Sequence, residues 1–267
     1  MTPSGLRWLL ARWPSISKAY GWIQERPSSR KAIAPFIRTF GLDPGDFAED
    51  PATYPHFNAF FYRKLKATAR PLDPDPNRLL SPGDGKILVF PDIDDSLDLP
   101  IKGASVRLSP LLKDPGLVDR FRHGSGLVLR LAPYDYHRFH FPASGIAGPT
   151  RTLAGPLHSV HPIALGRVPG VLESNLRTLT LLESDSCGLI ALLEVGAICV
   201  GSIVQTHQPG RVERGQEKGH FAFGGSTTIL VAEPGMLRFD EDLVRQSAAG
   251  HEVQLKMGEG IASRFGS

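Results

Sequence analysis

The stretch Phe223-Gly224-Gly225-Ser226-Thr227-Thr228 lies inside a strand-like run that extends from Phe221 to Val231. Its two adjacent glycines leave the backbone without Cβ atoms, so the chain there can adopt a bulged or strained geometry. Ser226 follows at once, and its hydroxyl could attack the Gly225 carbonyl if a base removed its proton and dipoles stabilised the oxyanion. Two interpretations stay open at this point. One is backbone cleavage between Gly225 and Ser226, and the other is an ordinary β-bulge with a solvent-facing Ser-Thr pair.

Apolar runs of strand length surround this stretch from residue 79 onward. Gly, Pro and Asp separate them, and no helical periodicity returns before Glu241–Gln246. The run Leu189–Gln205 is too long for one ordinary strand, so we expect Gly196 and Gly201 to interrupt it. The pattern predicts an α+β fold, in which a β-rich, mostly antiparallel domain follows short amphipathic N-terminal helices. The remaining predicted strands are Lys86–Phe90, Leu127–Leu131, Leu176–Leu182 and Phe221–Val231.

The part of the chain before residue 79 has a different pattern. Residues 5–40 have helical periodicity interrupted by prolines, which predicts two or three short helices. Residues 41–56 are a turn-rich connector, and a helical pattern resumes at Phe57–Leu65 with Asn58 as its N-cap. We therefore expect residues 1–56 to be a docking region with its connector, and residues 57–267 to be the main domain.

The composition is that of a globular protein with a sizeable core. The chain has 267 residues, of which 41% are hydrophobic. Its two cysteines, Cys187 and Cys199, lie in apolar surroundings without CxxC spacing. They are expected to be reduced core residues, which suits a reducing compartment.

Positive charge is concentrated near the N-terminus. Residues 1–40 contain seven Lys or Arg and one Glu, a net charge of +6, whereas the whole chain carries only +3. Trp8, Trp13 and Trp22 all lie in this basic segment, which favours an anionic membrane surface over nucleic acid as its partner. No run reaches the ~18 apolar residues of a membrane span, and no signal peptide is visible. We expect the segment to lie on the bilayer surface; a basic helix folded onto the main domain is the alternative.

A base for Ser226 is sought among nine histidines, because imidazole titrates near neutral pH. His137 and His140 lie close together in the segment Tyr134–Pro142, which follows the predicted strand Leu127–Leu131. On an extended segment they would point to opposite faces and do different work, whereas a local turn would let them share one site. Surface or packing roles are the alternative. A second pair, His158 and His161, would suit a metal, but neither pair has Cys or Glu at ligand spacing, so no metal is expected.

An acidic residue that could orient such a base lies in Ser81-Pro82-Gly83-Asp84-Gly85, just before a predicted strand. Taken alone, this sequence is typical of a tight turn. In combination, an aspartate, a histidine and a serine beside a deformable peptide bond form a complete nucleophilic set. No Gly-x-Ser-x-Gly motif occurs, so an α/β-hydrolase arrangement is unsupported.

Together these elements resemble the phosphatidylserine decarboxylase family, whose members are pyruvoyl enzymes made from self-cleaving proenzymes. The resemblance covers most of the chain, and its specific parts are the Tyr-His-Arg-x-His-x-Pro segment and the Gly-Ser-Thr site. Three positions depart from the family pattern: Gly83, Gly224 and Leu176. The matching segments are Phe57–Leu65, Arg70–Asp73, Ser81–Gly85, Ile101–Gly103, Asp135–Pro142, Val195–Ala197, Val200–Ile203 and Lys218–Gly219 leading into Gly224–Thr227.

By position, the resemblance implies that Asp84, His140 and Ser226 form the charge relay for self-cleavage between Gly225 and Ser226. It implies a β-chain of residues 1–225 and an α-chain of residues 226–267, which stay associated, with Ser226 converted to a pyruvoyl group. This group would form a Schiff base with the amine of a serine head group, so that no external cofactor or metal is needed. His137 would donate a proton in the decarboxylation step, and Tyr136 would contact the substrate carboxylate or phosphate.

The implied activity converts phosphatidylserine in an anionic membrane to phosphatidylethanolamine and CO2. The implied location is the cytoplasmic face of the cell membrane, as a peripheral protein, without a nucleic-acid partner and with a homodimer considered as its assembly. Two alternatives stay open. One is an uncleaved membrane-binding protein with the same fold and no activity, and the other is a pyruvoyl decarboxylase of another serine phospholipid.

Overall fold

The computed structural model describes residues 22–98, 105–159, 170–197, 203–222 and 226–264. Its α-helices are α1 Ile33–Phe40, α2 Phe57–Phe61, α3 Leu108–Leu112, α4 Pro115–Phe121, α5 Val171–Ser174 and α6 Glu241–Ala248. Turns of 3₁₀ helix are Pro27–Ala32, Pro44–Asp46, Pro51–Thr53 and Ala67–Ala69. The strands are β1 Arg78–Leu80, β2 Gly85–Ile93, β3 Ser96–Asp98, β4 Ser105–Arg107, β5 Gly124–Leu131, β6 Arg138–His140, β7 Gly145–Ala147, β8 Arg151–Leu153, β9 Arg177–Ser184, β10 Gly188–Gly196, β11 Ile203–Gln205, β12 Gly210–Val212, β13 Glu217–Phe221, β14 Ser226–Ala232, β15 Leu237–Phe239, β16 Val253–Leu255 and β17 Gly260–Arg264.

A nine-stranded antiparallel sheet forms the centre of the molecule. Its strands follow the order β12-β7-β9-β10-β14-β5-β2-β16, and β8 also pairs with β9. Three smaller sheets are β1-β17-β15, β11-β13-β6 and β3-β4. All the strand pairs are antiparallel within the described ranges, which confirms the predicted α+β class with a mostly antiparallel sheet.

Strand β14 occupies the middle of the large sheet. It pairs with β10 on one side and β5 on the other, and all seven of its residues are buried. Burial on both faces explains why the sequence from Ile229 to Ala232 is a continuous apolar run rather than an alternating one. The strand begins at Ser226, the residue that the sequence motif singled out.

The predicted strands are confirmed in position, but one run that was predicted as a single strand forms two. The run Leu189–Gln205 divides at Gly196 as expected, into β10 and β11, while Gly201 lies outside the described residues. The strand-like run Phe221–Val231 is not one strand: β13 ends at Phe221 in a small sheet and β14 begins in the large one. The backbone therefore crosses from one sheet to another between these strands.

The helix expected at Phe57–Leu65 is shorter than predicted, and its N-cap is a different residue. His56 caps α2, because its Nδ1 accepts a hydrogen bond from the Ala59 amide at 3.1 Å, whereas Asn58 is buried inside the helix. The helix stops at Phe61, and the Tyr62 carbonyl accepts from the Arg138 side chain at 2.9 Å. The helix Glu241–Gln246 is confirmed as α6, but the short helices α3, α4 and α5 were not predicted.

A second hydrophobic cluster lies beside the main core and involves the N-terminal part of the chain. We call it the aromatic cluster; its buried members are Ile33, Phe47, Tyr54, Phe57, Phe60 and Phe61. Phe60 is fully buried, and its ring centroid lies 5.7 Å from those of Phe47 and Tyr54 in edge-on contacts. Such aromatic pairs contribute about 0.5–1.5 kcal/mol beyond their buried area. The cluster joins residues on both sides of position 56, the expected domain boundary, which stays a prediction.

Candidate active site

Ser226 lies buried at the beginning of the central strand. Its Cα is opposite Gly196 in β10 and opposite Leu131 in β5, and its side chain is fully buried. Within the described part of the chain its Oγ has no hydrogen-bond partner. A buried hydroxyl without a partner is costly, since desolvation is not repaid, and such groups concentrate at functional positions. Gly224 and Gly225 lie outside the described residues.

Asp84 lies in the turn between β1 and β2 and is held by two groups that the sequence did not reveal. The Arg70 Nε donates to Asp84 Oδ1 at 2.9 Å, and the Arg70 Nη2 donates to Oδ2 at 2.5 Å. The Met257 amide donates to Oδ1 at 2.8 Å. Paired, charge-assisted hydrogen bonds of this kind fix the position of a carboxylate. Asp84 is therefore a firmly held side chain rather than a mobile side chain of a surface turn.

His140 ends strand β6, next to the turn that carries Asp84. Its amide donates to the Pro82 carbonyl at 2.8 Å, and the Tyr136 ring stacks on its imidazole with centroids 5.8 Å apart. Burial lowers the pKa of His140 to about 4, opposed by the charges of Glu217 and Asp84. The ring is therefore neutral near pH 7, as a base must be, and its Nδ1 has no partner in the described ranges.

The predicted relay residues share one end of the sheet, but they do not form a connected chain of hydrogen bonds. Lys86 is opposite Arg130, and Ser226 is opposite the next residue, Leu131. The beginning of β2 and Ser226 thus lie two strands apart at the same level, a distance of about 10 Å. Among the described residues no hydrogen bond joins Asp84, His140 and Ser226 to one another. Their roles in a relay stay predictions.

His137 precedes β6 and faces a different environment from His140. It is fully buried, its ring lies 3.9 Å from that of Phe61, and its Nδ1 is 2.9 Å from the Asp135 carbonyl. A carbonyl can only accept, so Nδ1 carries the proton and Nε2, which has no partner in the described ranges, carries the lone pair. Burial lowers the pKa of His137 to about 3. The His137 carbonyl accepts from the Phe221 amide at 2.9 Å, next to the strand that leads towards Gly225.

A buried ion pair ties together the strands around Ser226. The Lys218 Nζ in β13 donates to both carboxylate oxygens of Glu194 in β10, at 2.9 and 2.8 Å, and to the Gln205 side chain at 2.9 Å. Thr178 in β9 donates to the same carboxylate at 2.6 Å, and Gln205 does so at 2.9 Å. We call these four residues the Lys218 network. It anchors β13, the strand before the predicted cleavage site, to β10, the strand that pairs with β14.

Comparison with known proteins decides the family. A family model described as "Phosphatidylserine decarboxylase" matches residues 57–263, which include Asp84, both histidines and Ser226. The chain belongs to the phosphatidylserine decarboxylase family. The match begins at the first residue of α2 and includes nearly all of the β-rich part of the chain.

Members of this family with similar sequences come from several bacteria. The phosphatidylserine decarboxylase proenzyme of Desulfitobacterium hafniense strain Y51 is 42% identical, over 98% of this chain and 89% of the relative. The proenzyme of Chlamydia felis strain Fe/C-56 is 42% identical over 97% and 87%, respectively. The proenzyme of Clostridium botulinum strain 657 / Type Ba4 is 43% identical over 93% and 85%. This chain is thus similar over nearly its whole length to members that are named as proenzymes.

The remaining site predictions have mixed outcomes. Tyr136 is buried against His140, and burial raises its pKa to about 12; its contact with substrate stays a prediction. Cys187 is a buried free thiol, whereas Cys199 and His161 lie outside the described residues. In the described ranges no three His, Cys, Asp or Glu side chains are grouped to hold a metal. None of the helices there has the length and apolar character needed to span a membrane.

Proposed function

We propose that this chain is a proenzyme that cleaves itself before Ser226 and then converts phosphatidylserine to phosphatidylethanolamine and CO2. The observation that carries the proposal is the buried Ser226 hydroxyl without a partner, at the start of the central strand of a chain that belongs to this family. Two neutral histidines, each with one ring nitrogen that has no partner in the described ranges, precede and end β6 in the small sheet β11-β13-β6.

Self-cleavage would begin when His140 removes the proton from Ser226 Oγ. The oxygen attacks the carbonyl carbon of Gly225, the peptide C–N bond breaks, and an ester with a free Ser226 amine forms. Removal of the Ser226 Cα proton then expels the Gly225 carboxylate and leaves dehydroalanine at position 226. Addition of water to this residue releases ammonia and yields a pyruvoyl group at the start of the second chain.

The surroundings of position 226 fit a small carbonyl group. Residue 226 is held between β10 and β5, and His137 Nε2 and His140 Nδ1 are buried polar atoms without described partners. A pyruvoyl carbonyl condenses with an amine and accepts the electrons released when CO2 leaves. His137 is our candidate for returning a proton to the substrate carbon. Because burial keeps the ring neutral, this role needs an anionic substrate nearby to raise its pKa.

The two chains produced by cleavage would stay together because the break lies at the end of a central strand. Strand β14 keeps seven register pairs with β10 and seven with β5, none of which involves the residue before Ser226. Residues 226–264 also contribute α6, β15, β16 and β17 to the folded structure. Separation of the chains would therefore require unfolding of the large sheet.

Intact mass is the measurement that tests the proposal. The wild-type protein should give chains of residues 1–225 and 226–267, the second with a blocked pyruvoyl terminus, and should release CO2 from phosphatidylserine. Ser226→Ala should abolish both events, and His140→Ala should block cleavage. His137→Ala should leave cleavage intact and stop CO2 release. If His137→Ala blocked cleavage and His140→Ala did not, the two roles would be reversed.

The alternatives are separated by the same samples. A full-length mass after prolonged expression would favour an uncleaved membrane-binding protein. CO2 release from another serine phospholipid in preference to phosphatidylserine would change the substrate. A native mass measurement tests whether the protein is a homodimer.

We also infer peripheral attachment to the cytoplasmic face of an anionic membrane. Trp22, Ile23 and Phe40 are large hydrophobic side chains with exposed fractions of 56%, 49% and 43%, in a segment rich in Lys and Arg. Removal of residues 1–40 would strip Ile33 from the aromatic cluster, so the deletion should end at residue 21.

The deletion removes three basic residues, and each contributes about 1 kcal/mol near an anionic surface, so binding should weaken about 100-fold. Sedimentation with anionic liposomes at low and high salt measures the change. The same sedimentation for both proteins would show that residues 1–21 do not contribute, and no sedimentation of the full-length protein would contradict the attachment.

A further inference from the structure

Arg63 carries a buried positive charge without a carboxylate partner. It follows α2, and only 4% of its surface is exposed. Its Nη2 donates to the Tyr134 carbonyl at 3.3 Å, while Nε and Nη1 have no hydrogen-bond partner in the described ranges. The guanidinium carbon lies 5.0 Å from the ring centroid of Phe47 and 4.9 Å from that of Phe60. These rings hold the cation in place but do not use its N–H groups.

The N–H groups of other buried arginines near the site have hydrogen-bond acceptors. Arg177 donates through all three of its nitrogens to the carbonyls of Leu111, Asn175 and Pro110. Arg138 reaches the Tyr62 carbonyl and the Glu217 carboxylate, and Arg70 reaches Asp84. Burial lowers the pKa of Arg63 to about 10, so the side chain stays charged at neutral pH. A charged donor that is buried and unpaired costs more than a neutral one, which indicates that Arg63 is kept for a ligand.

The neighbouring carboxylates are already engaged. Asp84 is bound by Arg70 and the Met257 amide. Asp135 accepts from the Ala132 amide at 2.6 Å and from Gln254 at 3.3 Å. No salt bridge to Arg63 occurs among the described residues. The charge on Arg63 is therefore available to an anion from outside the protein.

Contacts of Arg63 and its neighbours connect it both to the predicted decarboxylation residue and to an exposed aromatic ring. Two positions earlier, Phe61 contacts the His137 ring, and Tyr134, whose carbonyl Arg63 binds, lies three positions before His137. The Tyr134 ring lies 5.3 Å from the ring of Phe40, which is exposed. These contacts place Arg63 within a few residues of His137 and of an exposed ring at which a lipid would bind.

We propose that Arg63 binds an anionic oxygen group of the serine phospholipid head group, an inference that rests on the proposed function. The head group has two such groups, a phosphodiester and a carboxylate, and Arg63 suits the oxygens of either. The phosphodiester is the expected ligand, because it keeps its charge throughout the reaction. A cation held against the carboxylate would stabilise the ground state and oppose the loss of CO2.

A binding test that needs no cleavage separates this proposal from the proposed function. Ser226→Ala protein is heated alone and with each of two ligands. Glycerophosphoethanolamine has the phosphodiester and no carboxylate, whereas N-acetylserine has only the carboxylate. Glycerophosphoethanolamine should raise the unfolding midpoint of Ser226→Ala, and the added change Arg63→Gln should remove this shift. Equal shifts of the unfolding midpoint with and without Arg63→Gln would overturn the proposal. If Arg63→Gln removed only the shift caused by N-acetylserine, the group bound by Arg63 would be the carboxylate.

A kinetic test uses the cleaved enzyme and a soluble short-chain phosphatidylserine. Arg63→Gln and Arg63→Lys should cleave themselves, but the KM should rise about 10-fold to 100-fold, the loss of a charge-assisted hydrogen bond. Lys64→Gln is the matched control, because it removes one positive charge from the next, exposed residue. A KM for both Arg63 variants within twofold of the control would refute the proposal. If Arg63→Gln does not fold, Arg63→Lys, which keeps the charge and loses the paired donors, decides the question.

Discussion

Removal of one member of the buried Lys218–Glu194 pair should destabilise the chain severely. The test is Lys218→Met in the Ser226→Ala background, so that every variant is measured as one uncleaved chain. Methionine fills a similar volume, so the change removes the charge and three donated hydrogen bonds and little packing. Glu194 would lose its cationic partner and keep only Thr178 and Gln205 as donors, at 1% exposure.

The expected loss can be worked out from this geometry. Breaking a buried ion pair by removing one partner costs about 3–5 kcal/mol, because the other charge is left uncompensated. A domain is stable by about 5–15 kcal/mol, so the loss is a large part of the total. Removing both charges, as in Lys218→Met with Glu194→Leu, should cost much less than the sum of the single changes. We expect a coupling free energy of at least about 3 kcal/mol.

Urea unfolding followed by circular dichroism gives the free energies for the four members of this cycle. Lys64→Met, a change of an exposed lysine, serves as the control and should shift the free energy of unfolding by less than about 0.5 kcal/mol. Single changes that cost less than about 1 kcal/mol, or additive effects in the double variant, would refute the view that the pair acts as a unit.

Three further predictions follow from the site. The pKa values of His137 and His140 are lowered by burial to about 3 and about 4, so below pH 6.5 the unfolded chain binds protons that the folded chain does not. The free energy of unfolding should therefore fall between pH 6.5 and pH 4, by up to about 1.4 kcal/mol per pH unit for each ring, and urea unfolding that is independent of pH in this range would contradict it. Arg70→Gln removes the guanidinium that donates to the Asp84 carboxylate at 2.5 Å, so self-cleavage should slow about 10-fold or more. Denaturing gels measure the rate, and an unchanged rate would show that the Arg70–Asp84 contact is dispensable. Gly85→Ala places a Cβ 2.7 Å from a backbone carbonyl oxygen, so it should destabilise the protein and slow cleavage. Gly210 also has a positive φ, but a Cβ there would meet no atom, so Gly210→Ala should not have both effects. Equal effects of the two substitutions would mean that the φ angle alone matters.

The β-rich domain can be predicted from the sequence because the hydrophobic pattern there is local and strong. The buried run Thr228–Val231 has no alternation, and the division of Leu189–Gln205 at Gly196 follows from the length that one strand can have. The pattern could not show that Phe221 and Ser226 belong to different sheets. Pairing partners are distant in the sequence, and an apolar residue suits either layer.

Short helices escaped prediction because their periodicity covers barely one or two turns. Helix α4 has a signal that could have found it: Asp114 accepts from the Leu117 amide as N-cap, and Pro115 stands at the first helical position. The cap of α2 could not be inferred in this way, because histidine is not among the usual N-cap residues.

The partners of the site residues were beyond sequence reasoning. Asp84, His137, His140 and Ser226 were selected as side chains that can do chemistry, and the fold places them near one end of the large sheet. Arg70 and Lys218 lie within segments that match the family, but the sequence does not indicate which carboxylates they bind. Such pairs form between residues 14 and 24 positions apart, which only the folded chain brings together.

The central position of β14 affects whether the protein can refold after cleavage. A chain cut before this strand has lost the covalent connection that brought its middle strand to the sheet. Refolding would become a meeting of two separate peptides, with an entropic cost that the uncut chain never faced. The mature protein would then fold only once, as its precursor, and heat damage to it would be permanent even where the precursor recovers.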